Sequence, residues 1–238
     1  MKISEYEWES IPRNEVFGGS EMAAVIGRSK WSNKQDVVKR KLFGDDVKQN
    51  KAMFWGTQLE APIAEVYKDR FCTDETYLFD PVPGGKPQVR HPDYPWLAGS
   101  ADRLIVEKET HEVLGGLEIK AIGTFSKKAW KNGVPDYYDI QAQTYMMCYG
   151  LPAWEFFVLC GGQDDFHLVL EENPFLQEEI IQKGGEAYRE LIIYRKELEL
   201  METVQALEAY ENLLIKGREE YEKETQEAAG NSAALKMG

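Results

Sequence analysis

The chain has 238 residues, with 28 Lys plus Arg against 41 Asp plus Glu and a net charge of −13. Its 43% hydrophobic and 29% charged content is ordinary for a globular protein with one good core, or one core plus an appendage. No apolar run approaches the roughly 20 residues of a membrane span, and the acidic start Met-Lys-Ile-Ser-Glu-Tyr-Glu-Trp has no signal-peptide core.

Three cysteines, Cys72, Cys148 and Cys160, are odd in number and far apart. They make neither a disulfide framework nor a CxxC metal site, which points to a reducing cytoplasm. Charge is uneven. Residues 171–230 hold 16 Glu and no Asp against 7 Lys plus Arg, a balance of −9, leaving −4 for the rest. Bulk charge therefore neither supports nor excludes DNA, and any basic surface must be local.

Residues 1–19 are mixed, with Pro12 and Gly18-Gly19 as breakers. Ser20 reads as the N-cap of a short helix ended by Gly27. A second helix is expected over 33–43 on Val37, Val38, Leu42 and Phe43. After a polar approach at 48–51, a longer one covers 52–71, its stripe made by Leu59, Ile63, Val66, Tyr67 and Phe71 and interrupted at Pro62. Short strands are expected at 77–79, 88–90, 97–106 and 113–121, with a polar hairpin tip at 107–111. A connection at 126–135 carries Lys127, Lys128, Trp130 and Lys131, which could line a DNA path or belong to a solvated loop. A helix then spans 136–149, strands 154–160 and 166–170 follow, and Asn173-Pro174 opens a helical region. Within it, Leu191, Tyr194, Leu198 and Met201 suggest a coiled-coil seam, continued by Val204, Leu207, Tyr210 and Leu214. This order makes an α/β or α+β core with a helical extension over 174–229 and a disordered tail at 230–238.

The stretch that organises the rest is 114–121, Leu-Gly-Gly-Leu-Glu-Ile-Lys-Ala. Side chains alternate along a strand, so Glu118 and Lys120 share one face and Ile119 points to the other. Burying such charges is costly unless they pair, bind metal or do chemistry. Asp102 lies 16 residues upstream, which suits two antiparallel strands that bring the carboxylates together. An Asp, a Glu and a Lys so placed can hold a divalent cation and position a water. On spacing alone, a surface hairpin with an exposed Glu–Lys pair makes the same pattern. Glu60 stands beside an apolar helix face and could add a ligand or simply be solvated. Gln141 and Gln143 lie on an aromatic helix and need partners if buried. Arg13 and Ser20 could form a phosphate site, or Ser20 a plain cap.

Together these residues resemble a family. Arg13…Gly-Gly-Ser20-Glu-Met-Ala-Ala-Val-Ile-Gly, Trp55-Gly-Thr-Gln-Leu-Glu60, Ala98-Gly-Ser-Ala-Asp102, Leu117-Glu-Ile-Lys120 and Tyr138-Asp-Ile-Gln141-Ala-Gln143 are similar, in order, to the YqaJ-type viral recombinases. These are relatives of lambda exonuclease in the PD-(D/E)xK nuclease superfamily. The resemblance implies a restriction-endonuclease-like core over 1–173, a central mixed β-sheet flanked by helices. It implies a Mg²⁺-dependent 5′–3′ exonuclease of duplex DNA, with one or two ions and Mn²⁺ as a substitute. In that scheme Asp102, Glu118, the Ile119 carbonyl and Glu60 bind metal. Lys120 is the catalytic lysine and Gln141 orients groups near it. Arg13 and Ser20 receive the 5′-phosphate. One departure is Arg103, where the family often has Gly; it is expected to be exposed and to contact substrate. The implied setting is a phage or prophage protein in a bacterial cytoplasm, acting with a single-strand annealing protein and forming a homo-oligomer such as a ring trimer. An endonuclease using the same site, and a non-catalytic partner-binding module, remain the alternatives.

Overall fold

The computed structural model describes residues 1–44, 49–81 and 88–235. The chain divides into two compact units, Met1–Leu191 and Ile192–Gly238. In the first unit the helices are α1 (Gly19–Val25), α2 (Lys34–Phe43), α3 (Lys51–Phe71), α4 (Lys127–Trp130) and α5 (Asp136–Tyr149). The strands are β1 (Trp8–Glu9), β2 (Phe17–Gly18), β3 (Thr76–Phe79), β4 (Gln88–Arg90), β5 (Leu97–Gly99), β6 (Arg103–Glu107), β7 (Val113–Ile122), β8 (Ala153–Cys160) and β9 (Asp164–Glu171). A final helix, α6, runs Pro174–Leu235.

Among the described residues the strands form a central mixed sheet and a second, smaller one. The larger has the order β3-β6-β7-β8-β9, with β7 at its centre. Only β7 and β8 are parallel there; the other pairs are antiparallel. A parallel pair needs a crossover, and α5 supplies it. The smaller sheet has the order β1-β4-β5-β2. The single strand expected over 97–106 is therefore broken at Ser100-Ala101-Asp102, with β5 in one sheet and β6 in the other. Two-residue strands such as β1 and β2 carry no periodic signal, and the sequence reading passed over both.

The large sheet is covered on both faces. Ile63, Ala64 and Tyr67 of α3 pack on Leu117, Ile119 and Phe157. On the other face Ile140, Ala142 and Tyr145 of α5 join Leu104, Trp154, Phe156 and Val158 in the main core. Burying such side chains contributes about 1.5–3 kcal/mol each. The cross-strand pair Gly116 and Trp154 shows how tight this packing is. A Cβ on Gly116 would stand 2.2–2.4 Å from the indole.

Several expected boundaries shift for identifiable reasons. Helix α3 runs unbroken through Pro62, which lies on its exposed side. Val66 and Phe71, expected in its stripe, are exposed as well. Helix α1 begins before Ser20. Its N-cap is Gly18, whose N–H donates to Glu21 Oε2 at 3.3 Å. Gly19 is no breaker; a Cβ there would meet Tyr145 at 2.6 Å, so its bareness lets α1 seat on α5.

The first turns of α6 bury Leu176, Ile180, Ala187 and Leu191 in the main core, so the units divide at 191 instead of 173. In the second unit Tyr194, Met201, Val204 and Leu207 of the expected seam are exposed. The tail expected at 230–238 falls partly on the last turn of α6, and residues 236–238 lie outside the described residues, as does Lys48. Among the described residues no helix is long and apolar enough to cross a membrane.

Candidate active site

Strand parity sets the site. Leu117 and Ile119 pack toward α3, so Glu118 and Lys120 face α5. Asp102 immediately precedes β6, whose Arg103 pairs with Leu117. The Ile119 N–H donates to Asp102 Oδ2 at 2.9 Å. Asp102 thus satisfies a backbone donor of β7 next to the Glu118 position, which is why the chain breaks there. Lys120 Nζ donates to Glu118 Oε1. Gln141 Nε2 of α5 donates to the same Glu118 oxygen at 2.8 Å and to the Tyr145 hydroxyl at 2.9 Å. Glu118 is 3% exposed, which rules out a surface hairpin as the source of this pair.

Burial works against the charge on Lys120, but the Glu118 and Asp102 carboxylates beside it outweigh that and hold its pKa above the usual 10.5. Its ammonium lies 5.0 Å over the Tyr138 ring. Burial, with help from the same two carboxylates, pushes the Tyr145 hydroxyl far above its usual range. The site is thus a compact set of two acids, one cation and an amide, placed just before β6, on β7 and on α5.

Glu60 stands apart from that set. Arg103 and Leu117 are register partners and share the α3 face. There Arg103 Nη1 donates to Glu60 Oε1 at 3.2 Å and to the Asp102 carbonyl, and Nη2 is 3.4 Å from Asp80 Oδ2. Arg103 is therefore clamped, with 11% of its side chain exposed, and is not the exposed residue expected. Among the described residues no three acidic, His or Cys side chains converge closely enough to enclose a metal ion. The donor set still fits a hard divalent cation: Asp102, Glu118 and the Ile119 carbonyl are all oxygen ligands. Glu60 is engaged by Arg103 beside them.

Arg13 and Ser20 are both exposed. A residue that the sequence reading missed ties their neighbourhood together. Lys41, 5% exposed, donates to the Arg13 carbonyl and to Glu21 Oε2, each at 2.5 Å. The signal was present: Lys41 follows Val37 and Val38 by four and three residues and so lies on the buried stripe of α2. Gln143, the other amide on α5, is spent on structure. Its Nε2 donates to the Glu171 carbonyl at 2.9 Å and its Oε1 accepts from Asn173 N–H at 2.9 Å. Trp130 is buried against Tyr138 and Phe156, so it belongs to the core and not to a DNA path. Lys127 pairs with Asp164, while Lys128 and Lys131 are exposed. Cys148 and Cys160 are buried, and burial raises the Cys148 thiol pKa well above its usual value, as suits an inert core residue.

The fold, a mixed sheet with helices on both faces, is one that solved exonucleases share. The alkaline exonuclease LHK-Exo from Laribacter hongkongensis shares the fold with a TM-score of 0.64 at 23% identity, over 79% of this chain and 94% of that one. Its complex with dAMP gives 0.63. A phage related exonuclease from Haemophilus somnus 129PT gives 0.55 at 15% identity, over 77% and 96%. At such identities the likeness establishes the fold.

The family follows from the sequence. The model of the YqaJ-like viral recombinase domain matches residues 7–152, more than half of the chain, and the chain belongs to that family. The uncharacterized protein YqaJ of Bacillus subtilis (strain 168) is 27% identical over 198 residues, 81% of this chain. The chain spans 58% of that relative's length. The matched stretch contains Arg13, Ser20, Glu60, Asp102, Glu118, Lys120 and Gln141.

Proposed function

We propose that the chain is a metal-dependent deoxyribonuclease that hydrolyses one strand of duplex DNA from a 5′-phosphorylated end. The observation that carries this is the convergence on Glu118. A structural ion pair needs one acid and one base. Here Lys120 and the Gln141 amide both donate to a buried carboxylate, and a second carboxylate, Asp102, is held by the next residue's N–H. LHK-Exo and the phage related protein of the same fold are exonucleases, which supports the same class.

Held by Asp102, Glu118 and the Ile119 carbonyl, with Glu60 released from Arg103, one or two Mg²⁺ or Mn²⁺ ions would polarise the phosphodiester and lower the pKa of water there. The protein's own groups do the rest. Gln141 and the Ile119 N–H fix the two carboxylates. Lys120 donates hydrogen bonds to the attacking water and to the phosphoryl oxygens as charge develops. Arg13 and Ser20 receive the terminal phosphate, which sets the direction of digestion. Lys41 holds the Arg13 backbone against Glu21, next to Ser20. A single-strand annealing protein and a ring-shaped homo-oligomer accompany this reading by family analogy.

Digestion of end-labelled duplexes, with and without a 5′-phosphate, tests it. The expected result is stepwise loss of the phosphorylated strand in Mg²⁺, at least about tenfold slower loss of the unphosphorylated one (a charge-assisted contact of at least ~1.4 kcal/mol), and none in EDTA. Internal cuts regardless of end chemistry would replace the exonuclease with an endonuclease. No hydrolysis and no Mg²⁺ or Mn²⁺ binding would leave the partner-binding module.

A further inference from the structure

Trp31, in the loop between α1 and α2, meets Tyr137 of α5 in an aromatic pair that the hydrolytic cluster does not use. Trp31 is 64% exposed. Its indole stands edge-on to Tyr137, with ring centroids 4.4 Å apart at 80°. Tyr137 in turn lies 4.4 Å from Tyr138, and Tyr138 is the ring beneath the Lys120 ammonium at 5.0 Å. An unbroken line of rings therefore leads from the catalytic lysine to an indole in solvent. At its outer end Lys30 sits over both rings, 4.8 Å from the Trp31 centroid and 5.3 Å from that of Tyr137.

The placement is held from several sides. Arg28 Nη1 lies 3.4 Å from Asp136 Oδ1, on the residue before Tyr137, and Arg28 also pairs with Glu179 of α6. The Trp31 N–H donates to Ser29 Oγ at 3.2 Å. The loop is thus pinned to the start of α5 by charge, and Trp31 stays exposed beside a partly buried Tyr137. A large apolar ring fixed in water forgoes the gain of burial unless something flat is laid against it.

We infer that Trp31 and Tyr137 form a stacking platform for one unpaired nucleobase of the substrate strand, with Lys30 on the adjoining phosphate. This rests on the hydrolytic reading of Asp102, Glu118 and Lys120. It adds the form of the DNA met just outside that centre, a strand separated from its complement. An unpaired base can lay its π-face on a protein ring, whereas a base inside a duplex is already stacked. A cation beside the rings matches the backbone charge that runs alongside such a base.

The test compares the full-length chain carrying Lys120→Ala, used to prevent digestion, with the same chain carrying Trp31→Ala or Trp31→Phe in addition. Binding of a 5′-phosphorylated single-stranded oligonucleotide and of a blunt duplex of the same sequence is followed by anisotropy in Mg²⁺. The single-strand affinity should fall about tenfold or more in Trp31→Ala and recover to within about threefold in Trp31→Phe, from loss and restoration of base stacking. Duplex affinity should change less. Tryptophan quenching by the single strand should be present with Trp31 and much reduced in Trp31→Phe.

Unchanged single-strand affinity in Trp31→Ala, while the wild-type chain digests DNA, overturns the platform and leaves the nuclease reading standing. Equal weakening for both DNA forms together with a lowered melting temperature makes Trp31 structural and overturns it too. So does unchanged DNA affinity with an altered oligomeric state, which would give the rings to a protein neighbour. A wild-type chain that neither binds nor cuts DNA overturns both readings.

Discussion

Lys41 and Lys120 are each packed against a glutamate, and their surroundings drive them in opposite directions. Lys41 has 4% of its side chain exposed and faces one carboxylate, Glu21. Burial lowers its pKa, and Glu21 only partly offsets that, with Arg40 and Arg13 working alongside burial. Lys120 has 20% exposed and faces two carboxylates, Glu118 and Asp102, which overcome the burial cost and raise its pKa. One buried lysine thus serves as a clamp between backbone and acid. The other is kept as a cation where a phosphodiester would pass. What separates them is not burial but the second carboxylate, which a structural pair has no need of.

The comparison can be broken at either lysine. Lys41→Met leaves the Arg13 carbonyl and Glu21 without this donor. It should lower stability by about 1–3 kcal/mol, a fall of several degrees in the melting midpoint at this chain length. The preference for 5′-phosphorylated ends should weaken with it. Loss of stability without loss of end preference would confine Lys41 to the scaffold.

Gln141→Leu should have a smaller effect. Glu118 loses the Gln141 amide as a donor, and turnover should drop about tenfold, the scale of one hydrogen bond to a charged group. Helix content and oligomeric state should not change. Turnover within twofold of wild type would remove Gln141 from the account.

The smallest effect is on pH dependence. The folded chain releases the Lys41 proton below the ordinary 10.5, so between that lowered value and 10.5 the unfolded chain binds more protons. Stability contributed by this site therefore rises with pH across that window. The difference in unfolding free energy between wild type and Lys41→Met should grow as pH approaches 10.5. A shrinking difference would mean that Glu21 outweighs burial, as its counterparts do at Lys120.

Much of this was legible wherever local chemistry decides. Helix α5 was read to the residue, because Pro135 precedes it and Gly150, at φ +64°, caps it in a conformation that suits glycine. The shared face of Glu118 and Lys120 follows from strand parity alone. The break at Asp102 was hidden, because Ser100-Ala101-Asp102 contains no Gly or Pro. The chain turns there for a tertiary reason, the Asp102 carboxylate accepting from Ile119. Arg103 looked exposed because its register against Leu117, and hence its position facing Glu60, exists only once β6 and β7 pair. The same register explains why Glu60, placed by motif order with the other acids, is engaged by Arg103. Trp31 gave no signal at all, since an indole in a loop between Lys30 and Ser32 reads as ordinary surface until Tyr137 is brought beside it.

The proposed hydrolysis of phosphodiesters rests on the Asp102–Glu118–Lys120 cluster. Single-turnover digestion of a 5′-phosphorylated duplex in Mg²⁺ by Lys120→Ala, beside wild type from a matched preparation freed of contaminating nuclease, tests it most directly. Loss of one preorganised donor to developing charge should slow cleavage by about 10²–10³-fold, with circular dichroism and melting temperature close to wild type. Undiminished cleavage by Lys120→Ala would contradict the account.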